Sequence, residues 1–150
     1  MNVTLLHPNS DKFSKTLEIY QNAPGLAVRR LALTNFRCYD SLVINPNKRL
    51  IVLTGENGAG KTNLLEALSL LSPGRGLRQA QLSEMANEST ICKYESPRNM
   101  PYWAVGAEFY TQNGDLSVGV GWRKSKTDSR TIRVNGTTIS SQAILAQYIT

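Results

Sequence analysis

The chain has 150 residues, of which 41% are hydrophobic and 19% are charged. These proportions are typical of a globular protein with one core, so we expect a single folded unit. Seventeen basic and eleven acidic residues give a formal net charge of +6, which favours phosphate-bearing partners. The excess is modest and spread along the chain, and an ordinary solvated surface explains it equally well.

Cysteine and histidine content argues against a zinc centre or any other metal site built on histidine. Cys38 and Cys92 form no CxxC or His-containing cluster, and His7 is the single histidine, so neither a structural zinc site nor a histidine-based metal site is expected. Both cysteines are expected to be buried or half-buried in a reducing compartment. No apolar segment approaches the ~20 residues needed to cross a bilayer. Because the N-terminus lacks the apolar centre of a secretory signal, we expect a cytoplasmic protein whose residues 1–27 form a flexible extension.

The first half of the chain predicts strands and then a helix. An imperfect apolar alternation predicts a strand from Val28 to Phe36, and Leu42 to Ile44 predicts a second strand closed by a turn. The continuously apolar run from Leu50 to Leu53 predicts a strand covered on both faces of a sheet. Leucines at helical spacing then predict a helix that starts at a glycine-rich loop and ends at Pro73-Gly74.

The second half predicts antiparallel strands. Residues 75–101 are polar and lack a clear period, so we expect an irregular segment with one short helix around Gln79 to Met85. Asn113-Gly114 and Asn135-Gly136 each separate alternating runs, which is a strong hairpin signal because both residue types tolerate a positive φ. Ser140-Ser141 is expected to cap a final amphipathic segment.

The most specific feature is the stretch GENGAGKT, which fits the phosphate-loop pattern G-x-x-x-x-G-K-[ST] without a departure. Its glycines let backbone N–H groups approach phosphate oxygens, and the following helix adds the positive end of its dipole. Lys61 can reach the β- and γ-phosphates, and the Thr62 hydroxyl can hold Mg²⁺. These roles predict a site for Mg-ATP or Mg-GTP.

The predicted nucleotide-binding residues are Gly55, Glu56, Asn57, Gly58, Ala59, Gly60, Lys61 and Thr62. Thr62 is also the predicted metal ligand. The carboxylate of Glu56 is expected to face solvent rather than to act in catalysis.

Three stretches carry a resemblance to a known family. LALTNFRCYDSL (31–42), GENGAGKTNLLEALSLLSPGRGLR (55–78) and IRVNG (132–136) resemble the N-terminal part of the RecF family of bacterial replication and repair ATPases. The resemblance covers residues 28–150 and implies an α/β fold, namely the N-terminal half of an ABC-type P-loop NTPase with an antiparallel β-subdomain. It also implies binding of ATP and of single-stranded or gapped DNA, an ATP-dependent dimer, and work with RecO and RecR.

The resemblance further implies roles for arginines. Arg37 matches the family's NFR segment, in which the arginine lies near the nucleotide; the alternative is a surface cation after a strand. Arg75 and Arg78 can contact DNA phosphates or a partner subunit, or they can stabilise the C-terminus of the preceding helix. Three aromatic side chains are expected in the core rather than against nucleic-acid bases: Trp103, Tyr110 and Trp122.

Residues that ABC-type ATPases need for hydrolysis do not follow in this sequence. After Thr62 no apolar run ends in paired acidic residues, and no LSxGQ-like segment appears. We therefore expect this chain alone to bind nucleotide without efficient turnover. A phosphate-loop kinase acting on a small molecule is one alternative, although it would need a second substrate site. A non-catalytic fragment or scaffold that retains the loop without using it is another.

Overall fold

A computed structural model describes residues 3–4, 25–46, 51–87, 102–123 and 129–149 of the chain. In chain order, the strands are β1 (Val3–Thr4), β2 (Ala27–Phe36), β3 (Tyr39–Ile44), β4 (Val52–Leu53), β5 (Trp103–Thr111), β6 (Gly114–Trp122), β7 (Arg130–Val134) and β8 (Thr137–Ile139). The helical segments are α1 (Lys61–Ser69), the 3₁₀ turns Ser83–Met85 and Gln142–Leu145, and α2 (Ala146–Ile149). None of the helices in these residues is long and apolar enough to cross a membrane.

A six-stranded antiparallel sheet dominates the described part of the chain. Its strands lie side by side in the order β3, β2, β5, β6, β7, β8, and every neighbouring pair is antiparallel. Separately, β1 pairs with β4, the short strand that leads into the glycine-rich loop. Because β2 pairs with β3 on one side and β5 on the other, it joins the residues before the loop to the later hairpins.

Most of the predicted elements are confirmed. The strand predicted from Val28 is β2, and the helix predicted after the loop is α1, which ends at Ser69. The short helix expected before Met85 is a 3₁₀ turn. The final capped segment also forms, since Ser141 Oγ accepts a hydrogen bond from Ala143 N at 3.2 Å.

Both predicted hairpins form, with one difference in a turn. Asn135-Gly136 has φ values of 48° and 80°, as expected of a two-residue turn with positive φ at both positions. In the other hairpin, residues 112–113 lie between the paired Thr111 and Gly114, so this turn is centred one residue earlier than predicted. Thr111 Oγ1 stabilises it by accepting from Asn113 N at 3.1 Å and donating to Gly114 O at 2.7 Å.

One face of the sheet and the inner face of α1 form the core. Buried and partly buried residues alternate along β5, as expected of a strand with one covered face. Trp103 is fully buried, with its ring 5.5 Å from that of Phe36, and its Nε1 donates to Leu82 O at 2.7 Å. From α1 and the residues directly after it, the core receives Leu64, Ala67, Leu70 and Leu71.

The aromatic residues divide between the two faces of the sheet. Trp103 and Trp122 are directly opposite each other on β5 and β6, and both are buried as predicted. Tyr110 is 52% exposed, so its prediction as a core residue is wrong. An odd number of positions separates it from Trp103, so it faces the other side of the sheet, where the Arg29 guanidinium lies 5.6 Å from its ring centroid.

Some expectations for the region around the loop differ from the structure. Residues 51–53 are only half-buried, and within the described residues β4 pairs with the two-residue strand β1. The strand expected here to be covered on both faces of a sheet is therefore not covered in that way in the described part of the chain. Cys38 is exposed, because the β2–β3 turn holds it at the surface, and the expectation of burial is wrong. Cys92 and residues 5–24 lie outside the described part of the chain, so the flexible extension stays a prediction.

Candidate nucleotide-binding site

The loop between β4 and α1 is built on glycine conformations. Gly55, Gly58 and Gly60 have φ values of 148°, 87° and 92°, a region that other residue types rarely adopt. Residues 55–58 are exposed, whereas Gly60 is buried beneath the β2–β3 turn. The loop therefore rests on the fold at its helical end and exposes its backbone to solvent at the other end.

The first turn of α1 is open to an anion. Gly60 is the N-cap residue and supplies no side-chain cap, and the first turn contains no acidic residue. The intrahelical ladder starts with Leu64 N, which donates to Gly60 O at 3.0 Å. Helix N-termini leave their first N–H groups without intrahelical partners, so an anionic oxygen can be accepted here without displacing a capping carboxylate.

The predicted charged and polar residues lie at this helix start. Lys61 Nζ donates to Gly55 O at 2.7 Å and to Glu56 O at 2.8 Å, which places the ammonium group over the loop. Thr62 is exposed in the first turn of α1, and the side chain of Glu56 faces solvent, as expected. The loop thus brings a cation, a hydroxyl and free N–H groups together at one end of α1.

The β2–β3 turn packs against the loop. Tyr39 Oη donates to Gly60 O at 3.0 Å. Asn63 Nδ2 donates to Cys38 Sγ at 3.2 Å. Burial, with a smaller contribution from Cys38, raises the pKa of Tyr39 above its ordinary value. The shift in pKa favours the protonated phenol, which is the form that donates to Gly60 O.

Arg37 makes a set of contacts centred on α1. Its Nε donates to Glu66 Oε2 at 3.0 Å and its Nη2 to Glu66 Oε1 at 2.8 Å. Its Nη1 donates to Glu84 O at 2.7 Å. Arg37 is thus tied to the loop helix, and its predicted contact with nucleotide stays a prediction.

Glu66 is a candidate functional residue that was not predicted from the sequence. Its side chain is fully buried, and Arg78 Nη1 lies 3.5 Å from its Oε2 in addition to the Arg37 contacts. Periodicity offered no signal, because the neighbours of Glu66 on its helix face within α1 are themselves polar, namely Thr62, Asn63 and Ser69. Its partner Arg37 is 29 positions away, so the pairing itself was not visible.

The two arginines after α1 are both accessible to a ligand. Arg75 is exposed, and the side chain of Arg78 is 45% exposed. Arg78 Nη1 donates to Asn63 Oδ1 at 3.3 Å, in the first turn of α1. These contacts place the Arg78 guanidinium beside Asn63 and Glu66 rather than at the C-terminus of the helix. Both alternatives stay open for Arg75, and contact of Arg78 with DNA or a partner subunit stays a prediction.

Among the described residues, no group of three or more His, Cys, Asp or Glu side chains could hold a metal ion. Thr62, the predicted metal ligand, lies in a loop of the type in which nucleotide phosphates would complete the coordination of Mg²⁺, and its metal role stays a prediction. The exposed Thr62 hydroxyl beside an uncapped helix start fits that role.

Comparison with known proteins gives the class to which this loop and sheet belong. The model of the AAA domain family matches residues 30–150, and the chain therefore belongs to that family. The fold is that of a P-loop NTPase of ABC type, represented by its N-terminal half with an antiparallel β-subdomain.

Within this class, the chain matches the N-terminal part of RecF. It is 38% identical over 123 residues to the DNA replication and repair protein RecF of Allorhizobium ampelinum, covering 81% of this chain and 30% of that protein. The resemblance predicted from the sequence is confirmed. The chain spans about 30% of the length of the RecF proteins it matches.

Solved structures support the same fold. The structure of the recombination mediator protein RecF-ATP in the RecFOR pathway aligns with a TM-score of 0.60 and 22% identity, over 82% of this chain and 31% of that one. An SMC ATPase structure, described as concerning ATP-driven dimerization and DNA stimulated activation, aligns with a TM-score of 0.59 and 18% identity. That alignment covers 83% of this chain and 81% of that one.

Proposed function

We propose that the chain binds Mg-ATP in the loop of residues 55–62 and acts in DNA replication and recombinational repair, as its RecF relatives do by name. The observation that carries the proposal is the loop itself, which enters the uncapped first turn of α1 with the Lys61 ammonium held over it. Glycine conformations, a free helix start and a fixed cation are three features with which phosphate loops hold a triphosphate.

The proposed roles follow from the position of each residue. Backbone N–H groups from Gly55 to Gly60 surround the phosphates, together with the first turn of α1. Lys61 leaves the Gly55 and Glu56 carbonyl oxygens and contacts the β- and γ-phosphates. The Thr62 hydroxyl holds Mg²⁺, and Arg37 adds a second positive charge near the nucleotide.

DNA is the second proposed ligand, as a single strand or a gapped duplex. The net charge of +6 and the exposed positions of Arg75 and Arg78 support this, because basic surfaces attract phosphate backbones. RecO and RecR are proposed as partners because the similar RecF protein acts with them in the RecFOR pathway. An ATP-dependent dimer is proposed because the SMC ATPase with a similar fold belongs to proteins that undergo ATP-driven dimerization.

Magnesium dependence tests the metal part of the proposal. Wild-type protein is expected to bind ATP about 10-fold more tightly with Mg²⁺ than with EDTA, and Thr62→Val is expected to lose most of that gain because it removes the metal-binding hydroxyl. Equilibrium titration with a fluorescent ATP analogue gives both affinities. Thr131→Val, an exposed threonine on β7, is the matched control and should keep the full gain. If Mg²⁺ raises the ATP affinity of Thr62→Val as much as that of wild type, the proposed role of Thr62 is contradicted.

DNA binding is tested by fluorescence anisotropy with a labelled single strand and a labelled gapped duplex, with and without Mg-ATP. Arg75→Ala and Arg78→Ala are each expected to weaken binding by about 3- to 10-fold and to reduce its salt dependence, because each removes about one phosphate contact. Arg29→Ala removes an arginine that is paired with Glu108 and Asp115 on the sheet and should have a smaller effect. Salt-independent or absent DNA binding would contradict the proposal.

A further inference from the structure

Glu66 is a buried carboxylate beside the candidate nucleotide site. Its side chain has no exposure to solvent, and burial of a carboxylate is costly unless it is paired and hydrogen-bonded. It lies four positions after Thr62 on α1, which places both residues on the same helix face about one turn, ~5 Å, apart. A fully buried charge this close to the loop calls for an explanation beyond helix stability.

Its pairing with Arg37 uses one particular edge of the guanidinium group. Glu66 accepts from Nε at 3.0 Å and from Nη2 at 2.8 Å, which is the side-on bidentate geometry. Nη1 donates to the carbonyl oxygen of Glu84. A guanidinium group has five N–H donors, so these three bonds leave one N–H on each terminal nitrogen for a further acceptor.

The backbone of Arg37 is fixed as firmly as its side chain. Its φ is 52°, a left-handed conformation that persists only when the surroundings enforce it. Its N–H donates to Met85 O at 2.8 Å. Two positions later, Tyr39 is bonded to Gly60, so the turn that carries Arg37 is attached directly to the loop.

We propose that Glu66 is a positioning residue of the candidate nucleotide site. By holding the side-on edge of Arg37, it presents the two remaining N–H groups of the guanidinium to a phosphate oxygen of the bound nucleotide. The inference rests on the proposed function and deepens it. Lysine cannot replace Arg37 in this arrangement, because an ammonium group has no planar edge to give to the carboxylate while another edge faces a phosphate.

A double-mutant cycle separates positioning from structural support. Mg-ATP affinity is measured for wild type, Arg37→Ala, Glu66→Gln and the double variant. Arg37→Ala and Glu66→Gln are each expected to weaken binding by about 5- to 10-fold. The double variant should be no weaker than Arg37→Ala, because Glu66 reaches the nucleotide through Arg37 and not through its more distant partner Arg78, whose Nη1 lies 3.5 Å from Glu66 Oε2. Arg37→Lys should behave like Arg37→Ala. Glu108→Gln, which breaks an exposed arginine pair on the sheet, is the matched control and should retain wild-type affinity.

The outcomes distinguish this inference from the proposed function. Failure of wild type to bind ATP would overturn the proposed function. If wild type binds but Arg37→Ala has no effect, or if Glu66→Gln weakens binding further in the Arg37→Ala background, the positioning role is wrong while the function stands. Thermal melting of each variant reports folding separately. If Glu66→Gln fails to fold, Arg37→Lys decides alone, and wild-type affinity in that variant would overturn the inference.

Discussion

Lys61→Ala is expected to abolish measurable Mg-ATP binding while the protein remains folded. The ammonium group is held over the loop by the carbonyl oxygens of Gly55 and Glu56, so it is already in place to contact phosphate. Hydrogen bonds to charged groups contribute about 1.5–3 kcal/mol each, and two phosphate contacts therefore correspond to a loss of at least about 100-fold in affinity.

Stability should change little in this variant, because Lys61 is half-buried and its two bonds are to loop carbonyls. Arg133→Ala, which removes an exposed cation from β7, is the charge-matched control. Equilibrium titration and thermal melting on both variants check the prediction. Binding by Lys61→Ala within threefold of wild type would show that the loop does not hold the phosphates.

Gly60→Ala is expected to damage both the fold around the loop and nucleotide binding. A Cβ atom on Gly60 would lie 2.5 Å from Tyr39 Oη and 2.9 Å from Cys38 Sγ, and the φ of 92° is unfavourable for alanine. Steric overlap and backbone strain each cost about 1–3 kcal/mol. Tyr39 would have to withdraw and break its bond to Gly60 O, which moves the N-cap of α1.

Gly136→Ala is the control that separates backbone strain at positive φ from steric overlap of an added Cβ atom. Gly136 has a φ of 80°, and a Cβ there would meet nothing within 4 Å, so this variant tests positive φ alone at a site remote from the loop. The free energy of unfolding, measured by denaturant titration, should fall more in Gly60→Ala than in Gly136→Ala. Equal losses, with ATP binding retained in Gly60→Ala, would show that the β2–β3 turn does not constrain the loop.

The sequence predicted the loop well because its signals are local. The glycine conformations, the helix start and the position of Lys61 all lie within the eight-residue pattern from Gly55 to Thr62. The Asn135-Gly136 turn was predictable for the same reason, since its backbone requirement is met by its own two residues. Such features need no information about distant parts of the chain.

The errors come from side-chain direction and long-range contacts. The prediction of Tyr110 as a core residue rests on its place in an alternating strand, but its odd spacing from Trp103 on that strand puts it on the opposite face of the sheet. The Glu66 pair could not be predicted in this way, because its partner Arg37 comes from a turn that precedes the loop. Only the packing of the β2–β3 turn on α1 brings the two charges together.

Calorimetric titration of the wild-type chain with Mg-ATP tests the central claim most directly. Our account predicts saturable binding with one nucleotide per chain, reduced to background when Lys61 is replaced by alanine. A folded chain that shows no saturable binding up to millimolar Mg-ATP would contradict it.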